Sequence, residues 1–496
     1  MLGKFAVTIA LIAAVLAAAH LVFRPPSLAG RTISEAVGAS MATALGRLAL
    51  APPPGEAGRS GVLSLVDGPD AFAARIALVR AAQVALDVQY YIWQRDATGL
   101  ILLEELRKAS ERGVRVRLLL DDNGIGGLDA DLAALDALPG FEIRLFNPFI
   151  LRTPKPLGYV FDFVRLNRRM HNKSLTADGA ASILGGRNIG DVYFGFGSGV
   201  QFIDTDVLVA GPAAADIGAD FDRYWQSGSA HPLDRIVGAA DAGALDRLRQ
   251  TPLVGDLLAG RLRFEWTGVA LVSDNPAKGL GQATIRDLLF PQLMALLARP
   301  ARSVDLVSAY FIPGSKFTQM LERQAGAGVR VRILTNSQAA TDVAVVHSAY
   351  VKYRPHLLGA GVELYELKPE HAPRDETEPR RLAGSSRASL HSKTLAVDGE
   401  RIFIGSFNFD PRSLLLNTEM GVLIDSPRMA GAVEKAFSEL FPFVSYVPEL
   451  TAADGLVWDE PAADGTHIRH DREPGTDALS RLVLRFLGLL PIEWLL

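Results

Sequence analysis

The chain contains no cysteine among its 496 residues. This absence excludes disulfide bonds, thiolate metal sites and a lipid anchor on cysteine, although it leaves the cellular compartment open. The chain also lacks an excess of positive charge, because 51 lysines and arginines face 55 aspartates and glutamates and give a net charge of −4. Strong nucleic-acid binders usually show a basic excess or a basic stripe, so we expect no nucleic-acid partner. No cluster of metal-ligand type is visible in the sequence, and we expect no metal and no cofactor.

An uncharged apolar run of 19 residues, from Phe5 to Phe23, lies near the N-terminus between Lys4 and Arg24. This length is sufficient for a helix that crosses the hydrocarbon core of a membrane. A cleaved signal peptide is the alternative, since residues 17–19 are three alanines that offer a small-residue cleavage site. The run is longer than a usual signal core, which favours an uncleaved anchor. Positive residues flank the run on both sides, so the sequence does not decide which side of the membrane holds the rest of the chain.

Two stretches of the chain repeat one motif, His-x-Lys-x-x-x-x-Asp-Gly, and each continues into a turn of small residues and an Asn. The first copy contains His171, Lys173, Asp178 and Asn188, and the second contains His391, Lys393, Asp398 and Asn408. All four pairs have the spacing of 220 positions that separates His171 from His391. Such a duplication predicts two half-sites that face each other across one pocket.

The repeat extends beyond the motif. Residues 84–92 match 304–312 at the same spacing of 220, whereas 113–118 match 328–333 and 204–209 match 419–424 at a spacing of 215. Two divergent halves of about 200 residues each fit the usual size of a domain. We therefore expect five segments: a membrane anchor or signal peptide (1–24), a linker (25–60), a first half (61–250), a second half (251–446) and a C-terminal tail with an apolar helix (447–496).

Each half alternates β-branched runs with amphipathic stretches. In the first half, residues 84–92 and 114–120 are typical of strands and residues 100–112 of a helix, which predicts an α/β sheet covered by helices. Each motif predicts a hairpin, because Asp-Gly between two apolar runs is a strong turn signal. We therefore expect Asp178 and Asp398 to have a structural role in these turns.

The motif residues suit phosphodiester chemistry. Residues i and i+2 of a strand point to one face, so each histidine and its lysine project together. Lysine and asparagine donate hydrogen bonds to the non-bridging oxygens, while one imidazole attacks phosphorus and the other acts as acid and then as base. A carboxylate behind each ring would fix its tautomer. Asp204 and Glu419, in matched strands, are the candidates, and Asp206 competes with Asp204.

The two motifs resemble the signature of the phospholipase D superfamily, over roughly residues 60–445. Residues 185–191 and the ending 489–496 are similar to class C bacterial cardiolipin synthases. The resemblance implies two pseudo-symmetric α/β/α sandwich halves with the active site at their interface, following the N-terminal apolar helix. It also implies a metal-free phosphohistidine mechanism, with His171 as the more usual nucleophile and His391 as the acid, and a location in the bacterial inner membrane.

Three substrate classes compete. The apolar segments and the resemblance favour phosphatidyl transfer between two phospholipids to form cardiolipin. Phospholipase D hydrolysis to phosphatidic acid is the alternative, and a nuclease fits less well with the net charge. A scaffold with a relic site is disfavoured because both motifs are intact. The expected partners are phospholipids and a membrane, and the oligomeric state stays open. The final segment, residues 479–496, either lies on a membrane surface or docks on the body of the protein.

Overall fold

The computed structural model describes residues 2–196, 201–238, 243, 245, 264–297, 299–369, 388–451, 455–462 and 465–496. Two large mixed sheets with helices packed on them form its frame. The expected α/β fold in two halves is confirmed.

The first sheet contains nine strands. The strands of this part of the chain are β1 (Ser60–Leu65), β2 (Ala85–Ile92), β3 (Arg115–Gly124), β4 (Phe141–Phe146), β5 (Ser174–Ala177), β6 (Ala181–Gly185), β7 (Gln201–Ile203), β8 (Asp206–Ala210), β9 (Ala230–Pro232) and β10 (Glu265–Thr267). Their order in the sheet is β10-β1-β8-β6-β5-β2-β3-β4-β9, and β7 lies outside it. Strands β2, β3 and β4 are parallel, and the motif hairpin β5–β6 joins them antiparallel to β2.

The second sheet repeats this pattern with ten strands. They are drawn from β11 (Val269–Ser273), β12 (Ser303–Ser308), β13 (Arg330–Asn336), β14 (Glu363–Leu367), β15 (Ala388–Leu390), β16 (Lys393–Val397), β17 (Arg401–Gly405), β18 (Met420–Ile424), β19 (Ser445–Leu450), β20 (Leu456–Pro461) and β21 (His467–His470). The order is β11-β18-β17-β16-β12-β13-β14-β19-β20-β21, and β15 pairs instead with β7 of the first half.

Helices cover both sheets. They are α1 (Leu2–Val22), α2 (Ala44–Leu50), α3 (Gly68–Ala81), α4 (Ala97–Glu111), α5 (Asp129–Asp136), α6 (Gly158–Leu166), α7 (Asp191–Phe194), α8 (Pro212–Trp225), α9 (Leu289–Leu297), α10 (Gly314–Gly326), α11 (Ala344–Tyr350), α12 (Arg354–Gly359), α13 (Pro411–Leu415), α14 (Pro427–Glu439), α15 (Phe441–Val444) and α16 (Ala478–Gly488). Side chains cap several of the helix N-termini: Asp96 accepts from the Gly99 N–H, and Ser426 from the Met429 N–H.

The two halves share one apolar layer. This cluster combines Val62, Val207 and Val209 of the first sheet with Ile404 and Val422 of the second, and all five side chains are buried. Apolar residues of α8 and α14 complete it. Burial of apolar surface on this scale holds the halves in one fixed arrangement, which the site between them requires.

The register of the repeat differs from the sequence expectation by two residues in one strand. The sequence match placed residues 84–92 on 304–312. In the structure, Asp87 of β2 forms an ion pair with Arg117, and the equivalent ion pair joins Asp305 of β12 and Arg332. Asp87 is therefore equivalent to Asp305, and the spacing between β2 and β12 is two residues shorter than the sequence match gave. The second half has two more residues before its motif. A shift of two keeps every side chain on its face, and the apolar pattern alone cannot detect it.

The N-terminal apolar run forms α1, whose stretch Lys4–Val22 is long and apolar enough to cross a membrane and contains no buried residue. The segment expected to be a linker, residues 25–60, packs along the first half and contains α2. Its backbone accepts hydrogen bonds from buried arginines, for instance at Ser34 from Arg117 (2.9 Å). The expected domain boundaries stay a prediction. Strand β10 completes the first sheet, and β19–β21 extend the second.

Candidate active site

Each motif histidine is fixed by backbone of the opposite half. The His171 N–H donates to the Thr418 carbonyl (2.8 Å), and the His391 N–H donates to the Ile203 carbonyl (2.8 Å). The expected strand at 171–177 begins only at Ser174, because the backbone before it is used in this contact between the halves. In the second copy the strand begins at Lys393.

The two carboxylates expected behind the rings are in contact with them, and they cross between the halves. Nδ1 of His171, in the first half, lies 2.9 Å from Oε2 of Glu419 in the second. Nδ1 of His391 lies 2.6 Å from Oδ2 of Asp204 in the first half. Both carboxylates are fully buried. A carboxylate that accepts from Nδ1–H selects the tautomer in which Nε2 is free to react.

Asp206, the competitor of Asp204, has another function. Its carboxylate binds Arg75 (2.8 Å) and Arg187 (3.3 Å), and all three side chains are buried. Because these arginines compensate its charge, Asp206 contributes to the packing of the first half and does not contact a histidine.

The two carboxylate sites are not identical. Ser406 Oγ donates to Glu419 Oε2 (2.6 Å), whereas the matched residue in the first half is Gly186. A Cβ atom at Gly186 would lie only 2.1 Å from Oδ1 of Asp204. The first half therefore combines the shorter side chain of Asp204 with Gly186, and the second half combines the longer side chain of Glu419 with Ser406. The Glu419 N–H is held in addition by Asp274 (2.8 Å).

Both motif lysines are buried beside the histidines. Lys173 Nζ donates to the His171 carbonyl (2.5 Å), and Lys393 Nζ donates to the His391 carbonyl. Burial lowers the pKa of Lys173 to about 7, with Glu419 opposing this effect. Burial also lowers the pKa of Lys393. The charges of the two lysines act on each other and on both rings, so the half-sites form one centre.

Both motif histidines have a lowered pKa. Burial, followed by the charges of Lys173 and Lys393, holds the pKa of His171 well below its usual value. Burial and Lys393 also lower the pKa of His391, while Asp204 raises it. An anionic phosphate placed between the lysines would relieve both effects, because opposite charges favour the protonated ring.

The carboxylates differ in their charge. Burial raises the pKa of Glu419 to about 7, although Lys173 opposes this rise. Burial alone would raise the pKa of Asp204 as well, but His391 and Lys393 hold it below its usual value. The pKa values of the two carboxylates are therefore shifted in opposite directions, that of Glu419 upward and that of Asp204 downward.

The two motif asparagines have different contacts. Oδ1 of Asn188 accepts from the Ile92 N–H (3.1 Å), and its Nδ2 donates to the Tyr193 hydroxyl (3.1 Å). Oδ1 of Asn408 is buried and has no hydrogen-bond partner among the residues that the structure describes. The Asn188 amide thus braces its loop and Tyr193, whereas Asn408 keeps an unpaired acceptor oxygen.

The motif aspartates lie at the other end of their hairpins. Asp178 accepts from three successive backbone N–H groups, at residues 83–85, and Asp398 accepts in the same way from residues 301–303. Both have a positive φ, of 53° and 57°, as the turn requires. These contacts agree with the structural role that we expected for them.

Three aromatic residues that contact the rings were not anticipated. Tyr91 lies edge-on to His171, with ring centroids 4.9 Å apart, while Tyr193 and Phe202 lie 5.3 Å and 5.1 Å from His391. The aromatic pair that ends β2 was a usable signal for Tyr91. Nothing in the motif indicated Phe202, because β7 belongs to the first half and lies next to His391 only after the two halves have packed together.

Arginines precede both motifs in the sequence. Arg169, next to the first motif, is buried in an ion pair with Asp121 (2.8 Å). Arg380, Arg381 and Arg387 lie outside the described residues. Within the part of the chain that the structure describes, no three His, Asp or Glu side chains form a group that could hold a metal ion.

Comparison with known proteins identifies the family. A family model described as "Cardiolipin synthase, PLD-like domain" matches the chain twice, over residues 76–225 and 293–441. The chain is 44% identical over 458 residues to cardiolipin synthase C of Escherichia coli (strain K12), which covers 88% of this chain and 97% of that protein. It is 30% identical over 367 residues to a cardiolipin synthase of Geobacillus kaustophilus (strain HTA426), which covers 73% of this chain and 62% of that protein.

Among solved structures, the phosphatidylserine synthase of Haemophilus influenzae Rd KW20 has the same fold, with a TM-score of 0.54 at 14% identity over 88% of this chain and 95% of that one. The resemblance expected from the two motifs is confirmed, and the chain belongs to the family of cardiolipin synthases with PLD-like domains.

Proposed function

We propose that the protein is a phosphatidyltransferase that forms cardiolipin from two phospholipids. The observation that carries this proposal is the pair of histidines whose Nδ1 atoms are each bound by a carboxylate of the opposite half. This arrangement leaves two Nε2 atoms for the reaction and surrounds them with two lysines, which suit a phosphodiester. Relatives named cardiolipin synthase, at 44% and 30% identity, support the same activity.

His171 is the nucleophile in this scheme. Its pKa is held well below the usual value, so the ring is neutral and can attack phosphorus. His391 is the acid, because its partner Asp204 stays ionised and stabilises the imidazolium once the substrate is bound. The different partners of the two rings thus provide the difference in environment that an acid and a nucleophile require.

The reaction proceeds in two displacements. Nε2 of His171 attacks the donor phosphorus, the N–P bond forms, and the P–O bond to the leaving headgroup breaks as His391 gives that oxygen its proton. His391 then takes the proton of the acceptor hydroxyl, whose oxygen attacks phosphorus while the N–P bond breaks. Both rings return to their starting states. Lys173, Lys393 and Asn408 bind the non-bridging oxygens and stabilise the charge that builds on them.

Transfer rather than hydrolysis requires that water be kept away from the phosphohistidine. The exposed fractions of His171 and His391 are only 6% and 7%, and aromatic rings cover both. A donor lipid in the pocket would exclude the remaining water, so an acceptor hydroxyl held in place competes well. Residence in the bacterial inner membrane through α1 supplies both lipids at high local concentration.

The test uses the purified full-length protein in mixed phospholipid vesicles. Cardiolipin should accumulate faster than phosphatidic acid, single-stranded DNA should stay uncut, and His171→Ala should form neither lipid product. Phosphatidic acid as the main product would favour the phospholipase alternative. Cleavage of DNA without lipid turnover would exclude both lipid activities.

A further inference from the structure

Two helices and two residues near them expose apolar side chains. On α16 they follow the spacing of one helix face. We call the whole set the apolar rim: Leu157, Val160, Phe163 and Val164 at α6, Leu479, Leu482, Val483, Phe486 and Leu489 at α16, together with Leu415 and Trp494. Several are more than half exposed, with Val164 at 69% and Leu489 at 82%. Apolar patches of this kind mark contact surfaces.

The parts of the apolar rim meet at one arginine. Nη1 of Arg412 donates to Oδ1 of Asn167, which ends α6, and to the carbonyl of Leu495, which lies next to Trp494. Arg412 belongs to α13, the helix that carries Leu415. The rim is therefore one region of the molecule, although α6 and α16 are distant in sequence.

The apolar rim lies beside the catalytic centre. The Tyr159 hydroxyl of α6 donates to Asn123 (3.2 Å), whose Nδ2 lies 3.5 Å from the Tyr91 hydroxyl. Tyr91 in turn contacts the ring of His171. The charge of Arg412 also acts directly on His171. A surface that contacts the rim is thus within a few side chains of the nucleophile.

The apolar rim is continuous with the membrane-crossing candidate helix. Phe23, directly after α1, stacks on Phe161 of α6 with ring centroids 5.1 Å apart, and His20 Nδ1 lies 3.2 Å from the Phe161 carbonyl. The opposite face of α16 is packed on the protein, since Leu484 is buried and Gly488 lies against α11. Arg485 is exposed at the edge of the apolar face, where it can reach headgroup phosphates.

We propose that the apolar rim inserts into the interfacial layer of a phospholipid bilayer and places the opening of the active site at the headgroups. The final segment would then satisfy both sequence alternatives, because α16 docks on the body by one face and on the membrane by the other. The proposal rests on the lipid activity proposed above. It adds a second contact with the membrane, independent of the anchor α1.

The first experiment uses the absence of native cysteine. Val160→Cys, Leu482→Cys and a control, Leu296→Cys, are each labelled with an environment-sensitive fluorophore in the full-length protein and reconstituted in phosphatidylglycerol vesicles. Leu296 is also apolar and exposed, but it lies near Arg401 at the turn opposite the catalytic residues. Labels at 160 and 482 should show a blue shift and be quenched by brominated acyl chains, and the label at 296 should show neither.

The proposal is overturned if all three labels respond alike to iodide in water, since α1 alone would then hold the protein. Disulfide crosslinking between two copies of Leu482→Cys, with no quenching by brominated lipid, would also overturn it in favour of a contact between copies. If the labels at 160 and 482 are protected from iodide only after a second protein is added, the rim binds protein and the proposal is also overturned.

The second experiment separates docking from chemistry. Leu482→Glu combined with Phe486→Glu should lower cardiolipin formation in vesicles by about tenfold or more, because acidic groups oppose insertion. Activity on a mixture of monomeric short-chain phospholipids should stay unchanged, and Leu296→Glu should leave both activities intact. Equal activity of the double variant in vesicles contradicts docking. Absence of transfer by the wild-type protein with either substrate would instead contradict the proposed function.

Discussion

Asp204 and Glu419 occupy matched positions in the repeat, but their pKa values are shifted in opposite directions. Burial raises the pKa of Glu419 to about 7, whereas His391 and Lys393 hold the pKa of Asp204 below its usual value despite burial. The lowered pKa of Asp204 suits the partner of the histidine that we propose as the acid. We therefore expect the two carboxylates to affect catalysis in different ways.

Asp204→Asn should lower kcat by on the order of 10³-fold with little change in thermal stability, since the amide keeps the contact but removes the charge. The pKa of His391 should fall further in this variant. Because an acid is active while protonated, activity is lost as the pH rises through that pKa, and the alkaline limb of the pH–rate profile should move to lower pH. A wild-type rate and an unshifted profile would show that Asp204 is structural. The measurement is kcat against pH, with circular dichroism as the folding control.

Gly186 and Ser406 provide the second residue-scale prediction. Gly186→Ala should abolish turnover, because its Cβ would displace the Asp204 carboxylate that lies 2.1 Å from that position. Ser406→Gly removes the hydrogen bond to Glu419 and the one that Ser406 accepts from the Met420 N–H (3.0 Å), and it should reduce kcat about tenfold. Gly431→Ala is the matched control, since nothing lies near its Cβ position and the residue is inside α14. Turnover by Gly186→Ala at the wild-type rate would mean that the carboxylate has room to move.

At the scale of elements, the catalytic hairpins depend on their turn aspartates. Asp178→Ala should lower the free energy of unfolding by about 2 kcal/mol, because three backbone N–H groups lose their acceptor. The folded fraction should keep the wild-type kcat at low temperature. A large loss of kcat without a loss of stability would instead give Asp178 a chemical role. Denaturant unfolding and kcat at 10–15 °C below the midpoint separate the two cases.

Asp398 gives the same turn a pH dependence. Burial opposes ionisation, but the N–H groups of residues 301–303 hold the pKa of Asp398 below its ordinary 3.8. A lowered pKa contributes stability above the ordinary value, and this contribution is lost as the pH falls through the folded pKa. Below pH 4 the unfolding free energy of the wild-type protein should therefore fall more steeply than that of Asp398→Ala. Parallel curves would show that the carboxylate charge has no part in the turn.

Secondary structure near the motifs was largely predictable, and the register between the halves was not. The strand expected at 84–92 is observed as Ala85–Ile92, and the helix expected at 100–112 as Ala97–Glu111. Periodicity and turn residues determine these elements locally. The repeat alignment of β2 and β12 was wrong by two residues, because such a shift leaves the apolar pattern intact. The equivalent ion pairs of Asp87 with Arg117 and of Asp305 with Arg332 reveal it.

At the scale of the whole molecule, the candidate histidines and carboxylates that the sequence predicts lie together in the structure, but their pairing could not be predicted. His171 binds Glu419 and His391 binds Asp204 because each motif is pinned by the backbone of the opposite half. The contact of each histidine with a carboxylate of the opposite half depends on how the two sheets pack. It cannot be predicted from the spacing of residues along the chain. The buried apolar layer between the sheets keeps both pairs in place at once.

Because both half-sites belong to one chain, inactive variants should not complement each other. We expect no cardiolipin when His171→Ala and His391→Ala are co-expressed in a host that lacks cardiolipin. Each molecule then lacks one of the two histidines that the reaction requires. Wild-type protein co-expressed with either variant should give activity in proportion to the wild-type fraction. Restored synthesis from the two variants would mean that one chain supplies its histidine to the other, and the crossed pairs would then form between molecules. Lipid extracts analysed by mass spectrometry, with both variants quantified on blots, decide between a site built within one chain and a site shared by two.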